Sequence, residues 1–343
     1  MSLLARVALA LLVVGSAATL ARWSDAQLPR STQLPRWFTP GALGFEPGRG
    51  TAPPPPPGPS AFLTRTLTGL LEPRARLWGQ RNDLTPKLNF THSLKDIFPP
   101  ALFATHPEYF PLADGKRLNP PRGTEFWNPD IARADVAAVA AAAARAYFDR
   151  HPTALSFALG TNDGLLFGES PELLALVTPT QWFRERPDYS PLVHTFMNRV
   201  AADLARTHPQ KLLGSLAYYW SENLPPFPLH PQVVPYVTAD RSQGYDRAFW
   251  SEEMTQQTEW GRLAGRPADA ISTRRLGLYD YIYGSGFLIP RIHPRLLAES
   301  LRHARRAGFT DYYAEVNPNW GLDGPMPWLT TQLLRDPEQD PAA

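Results

Sequence analysis

DIARADVAAVAAAAARAYFDR over residues 130–150, followed after His151-Pro152 by ALSFALGTNDG over 154–164, is the stretch that decides the fold. Alanine dominates the first part, the best helix former, and Asp130 stands where an N-terminal cap is expected. The His-Pro pair stops the helix. The apolar LSFALG that follows predicts a buried strand, and Asn162-Asp163-Gly164 a polar turn at its C-terminal end. A helix feeding a buried strand of this kind is the building unit of an α/β protein.

The unit recurs on both sides. LNFTHS (88–93) reads as a strand, and residues 62–80 read as helix-like. Residues 189–209 predict a helix with Leu192, Phe196, Val200 and Leu204 at i+4 spacing. LLGSLAYYWSEN (212–223) is the next strand and loop. QVVPYVTAD (232–240) is a strand interrupted by Pro235. A helix around 250–263, a strand in 274–284, a helix over 294–308, a strand in 309–321 and a helix over 325–336 complete the series. About six strand–helix units in a row predict an incomplete (β/α) TIM-barrel-like domain over residues 61–337, with a short tail at 338–343. Carboxylates stand at or just after the strand ends: Asp163, Glu222, Asp240, Asp280 and Glu315. Barrel enzymes place their chemistry there.

Composition bounds the rest. The 343 residues include 38 prolines, and ten of these fall between Pro29 and Pro59. Residues 27–60, with five consecutive prolines at 53–57, predict an extended disordered linker. Ahead of it, residues 1–26 combine Arg6, an apolar core and small residues up to Ala26, the pattern of a cleaved signal peptide. An uncleaved membrane anchor over residues 3–21 is the alternative. Either reading directs the domain to the exported side of a membrane. The absence of cysteine excludes disulfides, thiolate metal sites and a cysteine nucleophile. A formal net charge of +2 gives no pull toward nucleic acid. Neither a Gly-rich phosphate loop nor a GxSxG elbow occurs, and the histidines lack metal-ligand spacing, so no cofactor and no metal are expected.

RLWGQRND (76–83), NFTHS (89–93), HPEYFPLADGKR (106–117), GTNDG (160–164), YDY (279–281) and YYAEVNPNWG (312–321), in this order, resemble the DUF4838 family of bacterial exported proteins. That family is similar to barrel glycoside hydrolases of the hexosaminidase and α-glucuronidase type, and the resemblance covers about residues 75–337. It implies a carbohydrate substrate or ligand. Two departures stand out. GLLFGESPE (164–172) lacks the cysteine cluster many members carry, and the proline linker stands where members have an accessory domain and two further strands. Against the family, the strands here correspond to the third through eighth, which leaves sheet edges to be covered.

Glycoside hydrolysis needs one protonated and one ionised carboxyl group flanking the scissile bond. Asp163, after an apolar strand, is the candidate general acid; the same Asn-Asp-Gly is also an ordinary turn. Glu315 alternates with aromatics, shares a strand face with Tyr313, and is the candidate nucleophile, base or stabiliser; an ion pair with an arginine is the plainer reading. His92, Asn162, Trp220, Glu222, Asp280, Tyr281, Asn317 and Trp320 are the candidate sugar-binding residues. A non-catalytic glycan-binding or cell-surface protein on a degenerate barrel is the alternative function.

Overall fold

The computed structural model describes residues 60–68, 73–121, 123–164, 166–239, 246–265, 275–282, 292–316 and 325–341. The expected signal peptide and linker, Asp240, Asn317 and Trp320 lie outside them. Six parallel strands form one sheet: β1 (Thr64–Leu67), β4 (Ser156–Ala158), β7 (Leu212–Ala217), β8 (Val233–Ala239), β9 (Gly277–Tyr281) and β10 (Asp311–Glu315). Their spatial order is β1-β10-β9-β8-β7-β4, so the first strand closes onto the last, and the sheet curls into a half barrel. Two short hairpins, β2–β3 (Leu112–Ala113, Lys116–Arg117) and β5–β6 (Trp182–Phe183, Arg186–Pro187), stand apart from it. The helices are α1 (Pro73–Arg81), α2 (Leu94–Ile97), α3 (Ala134–Arg150), α4 (Pro171–Val177), α5 (Ser190–Leu204), α6 (Arg247–Gly265), α7 (Pro294–Arg306) and α8 (Pro325–Arg335).

The alanine-rich stretch becomes α3. Its buried face, Val136, Ala137, Ala140, Ala141, Ala144 and Phe148, lets the backbone come close to α5, which buries Leu192, Phe196, Val200 and Leu204. Arg145 and Asp203 join the two helices at 2.8 Å. Asp130 is not the cap. Arg133 takes that place without a side-chain bond, while Asp130, only 1% exposed, pairs with Arg117 at 2.7 Å and accepts from Ser170 Oγ at 2.9 Å. That buried acid anchors the β2–β3 hairpin and the start of α4. Pro235 does not break β8, which runs on through Ala239 fully buried.

Two expectations exchange places. Residues 64–67, inside the stretch read as helix-like, are β1, which pairs with β10. LNFTHS is not a ladder strand. Only an isolated parallel bridge, His92 to Gly160, ties it to the sheet. Its segment nevertheless spans the open side of the half barrel. Thr85 exchanges backbone and side-chain hydrogen bonds with Arg65 and Thr66 of β1 at 2.8–2.9 Å. Asn89 bonds Ser156 of β4 at 2.7 and 2.9 Å. One segment thus satisfies polar groups at both edges of an incomplete barrel.

The same segment fills the barrel. The sheet's convex face packs against the helices in one large apolar layer, and its concave face holds a second, smaller one of Leu88, Phe90, Leu216, Val234, Tyr236 and Tyr313. Phe90 stacks on Tyr236 with ring centroids 3.7 Å apart and meets Tyr313 edge-on at 5.0 Å. Lys87 lies over the rings of Phe90 and Tyr313, and burial lowers its pKa. Glycine makes room for this plug: a Cβ on Gly214 would sit 2.1 Å from the Asn89 carbonyl oxygen, and one on Gly160 2.6 Å from that of Phe90. Gly214→Ala should therefore cost about 1–3 kcal/mol by overpacking, and Phe90→Ala about 3–5 kcal/mol by cavity formation. Denaturant unfolding checks both, and a loss below about 0.5 kcal/mol for either would deny the plug its structural role.

Candidate functional site

At the C-terminal ends of β4 and β7 a cleft of about 90 Å³ is lined by Thr161–Gly164, Phe167 and Tyr218–Ser221. Buried Asn162 builds the first wall. Its backbone N–H donates to Asn128 Oδ1 at 2.8 Å, its Nδ2 donates to the Trp127 carbonyl at 2.8 Å, and its Oδ1 accepts from the Lys95 N–H at 2.7 Å. Asn128 also donates to the Gly164 carbonyl at 2.9 Å. Asn162 therefore holds the turn, and it lines the cleft beside Asp163. Its neighbour Asp163 is exposed in the cleft, beside Phe167, Tyr218 and Trp220.

The second wall is a single 3-10 turn, Tyr219–Ser221. Tyr219 has φ 53°, in the left-handed region that a bulky side chain rarely adopts. Trp220 is half-buried and lines the cleft. His92 meets Tyr218 edge-on at 6.0 Å, and its Nδ1 lies 2.6 Å from the Thr161 carbonyl. A carbonyl can only accept, so that nitrogen carries the proton and Nε2 is the acceptor.

Glu315 ends β10 on the concave face. Tyr279 of β9 donates to its Oε1 at 2.5 Å, and Tyr279 contacts Tyr313 and Tyr281 at 4.8 and 5.1 Å between ring centroids. Burial, then the bond to Glu315, raises the Tyr279 pKa, and burial, then the charge of Glu315, raises that of Tyr313 to about 12, so both phenols stay protonated. Tyr218 is raised by burial first, then by Asp163, Tyr219 and Glu315. Its phenol thus feels both candidate catalytic carboxylates.

Not every expected residue joins them. Asp280 alternates with Tyr279 and Tyr281, so it faces the convex side, where it is 0% exposed and accepts from the Tyr312 hydroxyl at 2.6 Å. The alternation that brings its tyrosine neighbours inward forces it out of the mouth. Tyr281 is half-buried beside Tyr279. Tyr218, Tyr279 and Tyr219 are the residues that sequence reading passed over. The period-two pattern of GLYDY carried the signal for Tyr279.

Glu222, a candidate sugar-binding residue, is buried in an ion cluster. Arg184, at the hairpin tip, pairs with Glu222, with Glu253 of α6 at 2.5 Å and with Glu252 at 2.6 Å, while Arg186 lies 3.5 Å from Glu222. Arg184 and Glu185 have φ 49° and 62°, the tight reversal that aims the guanidinium into the cluster. Three carboxylates face two guanidiniums. Burial raises the pKa of Glu222, against the pull of Arg184 and Arg186, and raises that of Glu253 to about 7, against Arg184 and with the repulsion of Glu222. Among the described residues no group of three or more His, Asp or Glu side chains is arranged to hold a metal ion, and no helix is long and apolar enough to cross a membrane.

A carboxyl raised on folding holds its proton in the native state through pH values at which the unfolded chain has released it. Its contribution to stability is therefore lost as pH rises from about 4.5 toward 7. Glu253→Gln, a mimic of the protonated form, should raise Tm at pH 8 and leave it nearly unchanged at pH 4.5. Thermal unfolding at the two pH values checks this, and an equal or greater effect at pH 4.5 would contradict it.

No curated protein and no solved structure matches the chain. A family model does match over residues 69–343, most of the length, and the chain belongs to the family described as a domain of unknown function (DUF4838).

Proposed function

We propose that this is an exported glycoside-hydrolase-like protein acting on a poly- or oligosaccharide. The observation that carries the reading is Glu315, bound by the Tyr279 hydroxyl on the concave face of a parallel half barrel, with Asp163 just past the end of another strand of the same sheet, in the cleft beside Tyr218. Glu315 serves as nucleophile, base or electrostatic stabiliser, since a carboxylate that accepts a phenol hydrogen bond is fixed in orientation. Asp163 serves as general acid toward the departing oxygen. Tyr218, Tyr281 and Trp220 supply the aromatic and hydroxyl surfaces that a pyranose ring needs, and His92 Nε2 supplies an acceptor for a sugar hydroxyl. In a retaining mechanism Glu315 attacks the anomeric carbon, the glycosidic bond breaks, and Asp163 gives its proton to the leaving oxygen. Asp163 then takes a proton from the water that releases the sugar. In an inverting one Glu315 deprotonates that water directly.

A second reading has its own support. Asp163 is exposed, and a general acid gains from burial. A glycan-binding protein that keeps the mouth without turnover needs no such burial.

A hydrolysis screen against plant, fungal and bacterial glycans separates the two. The catalytic reading expects Glu315→Gln and Asp163→Asn each to lower kcat by about 10²–10⁴-fold, the usual worth of one acid or base. It expects Tyr279→Phe to lower kcat by about tenfold or more, the worth of a hydrogen bond to a charged acceptor, with a smaller change in KM. Wild-type binding without hydrolysis would select the second reading. Full activity in both carboxyl variants would remove the pair from the mechanism.

A further inference from the structure

Two exposed aromatic residues stand at the turns that line the cleft, Phe126 with its main chain against one and Tyr219 within the other. Phe126 is 75% exposed, although Phe90, Phe98, Phe110 and Phe148 are all fully or almost fully buried. Its main chain packs directly on the turn that carries Asp163: a Cβ added to Gly164 would lie 2.3 Å from the Phe126 carbonyl carbon. The hydrogen bonds that join Asn128 to Asn162 and to Gly164 fix that contact. Tyr219 is 40% exposed and belongs to the other turn lining the cleft. The Arg186 guanidinium covers one face of its ring at 4.2 Å from the centroid, and Trp220 meets it edge-on at 4.7 Å. A bulky residue with φ 53° persists only where its surroundings over-determine it, and such residues collect at ligand clamps. Tyr219 is thus a ring supported from behind by a cation and fixed in place while still open to solvent.

Exposed rings carried on a fixed backbone beside a carboxylate suit one ligand chemistry. A pyranose with equatorial hydroxyls carries axial C–H bonds on its faces and stacks flat on an aromatic ring. A chain of such units joined through equatorial bonds presents these faces repeatedly. We propose that Phe126 and Tyr219 are two stacking platforms, one against each turn lining the cleft, and that the cleft receives an internal stretch of a β-1,4-linked polysaccharide instead of a single terminal sugar. This rests on the carbohydrate reading of the cleft and goes beyond it in naming the polymer.

Affinity gel electrophoresis of the full chain in hydroxyethyl cellulose, xylan and glycol chitin tests it, beside calorimetry with the matching disaccharides. Wild type should be retarded by at least one polymer. Phe126→Ala should weaken that binding about fivefold, the size of one lost aromatic contact, with disaccharide affinity within twofold of wild type. Tyr219→Asn, which tolerates the left-handed backbone, should weaken both. Leu155→Ala, exposed at the opposite end of β4, should change neither. No retardation of wild type by any of the three polymers, or Phe126→Ala binding as tightly as wild type, would overturn the proposal. Polymer binding that depends on Phe126, without hydrolysis, would keep it while the catalytic reading fell. Hydrolysis of short glycosides with polymer binding indifferent to Phe126 would do the reverse.

Discussion

The stack of Phe90 on Tyr236 is the contact on which the rest depends. A parallel sheet of six strands curls without closing, and each of its edges presents unpaired N–H and C=O groups. A full barrel removes that problem with two more strands. Here one irregular segment, residues 84–93, meets β1 through Thr85 and β4 through Asn89 and His92. Backbone hydrogen bonds at a few points would not hold such a segment against its conformational entropy. The burial of Phe90 and Leu88 in the concave cavity holds it, and Gly214 and Gly160 permit the approach. His92 owes its place at the mouth to the same anchoring.

Much of this was legible in the sequence, and the limits have physical causes. The α3 stretch, the α5 spacing and the strands β7 to β10 follow from periodicity, which burial enforces over five or more residues. β1 did not stand out because TRTL is four residues long and alternates threonine with a charged and an apolar side chain. Arg65 is tolerated there because its Nε donates to the Asp83 carbonyl and its head pairs with the Asp83 carboxylate. LNFTHS has the composition of a strand, yet its pairing partners sit on two different edges, a tertiary fact no local pattern encodes.

The candidate site divides in the same way. Glu315 and Tyr313 share a face by simple alternation, and alternation alone also assigns Asp280 to the convex side, beside Tyr312. Asp163 and Trp220 follow from standing just past strand ends. Asn162 and Glu222 have the right chemistry at the right strand ends, but their partners come from far along the chain. Asn128, Trp127 and Lys95 engage the backbone and side chain of Asn162, and Arg184 with Arg186 engages Glu222 from a hairpin that carries no sequence periodicity.

That hairpin explains why backbone strain and buried charge collect at one edge of the cleft. Arg184 and Glu185 adopt left-handed conformations at its tip, and Tyr219 adopts one across from it. Each costs on the order of 1–3 kcal/mol, and a cluster of three carboxylates and two guanidiniums adds the cost of desolvation. Hydrophobic side chains of the same volume would fold more readily there. Ionic partners do what apolar ones cannot: Arg184 fixes the hairpin by direction as well as by contact, and the hairpin then places the Arg186 guanidinium against a single ring. The destabilising features are thereby confined to the residues that set the position of Tyr219, while the opposite wall is secured by neutral amide bonds around Asn162. One wall is held by charge and the other by hydrogen bonds between uncharged groups, so a change of pH acts on the Tyr219 side through Glu253 and leaves the Asn162 network around Asp163 intact.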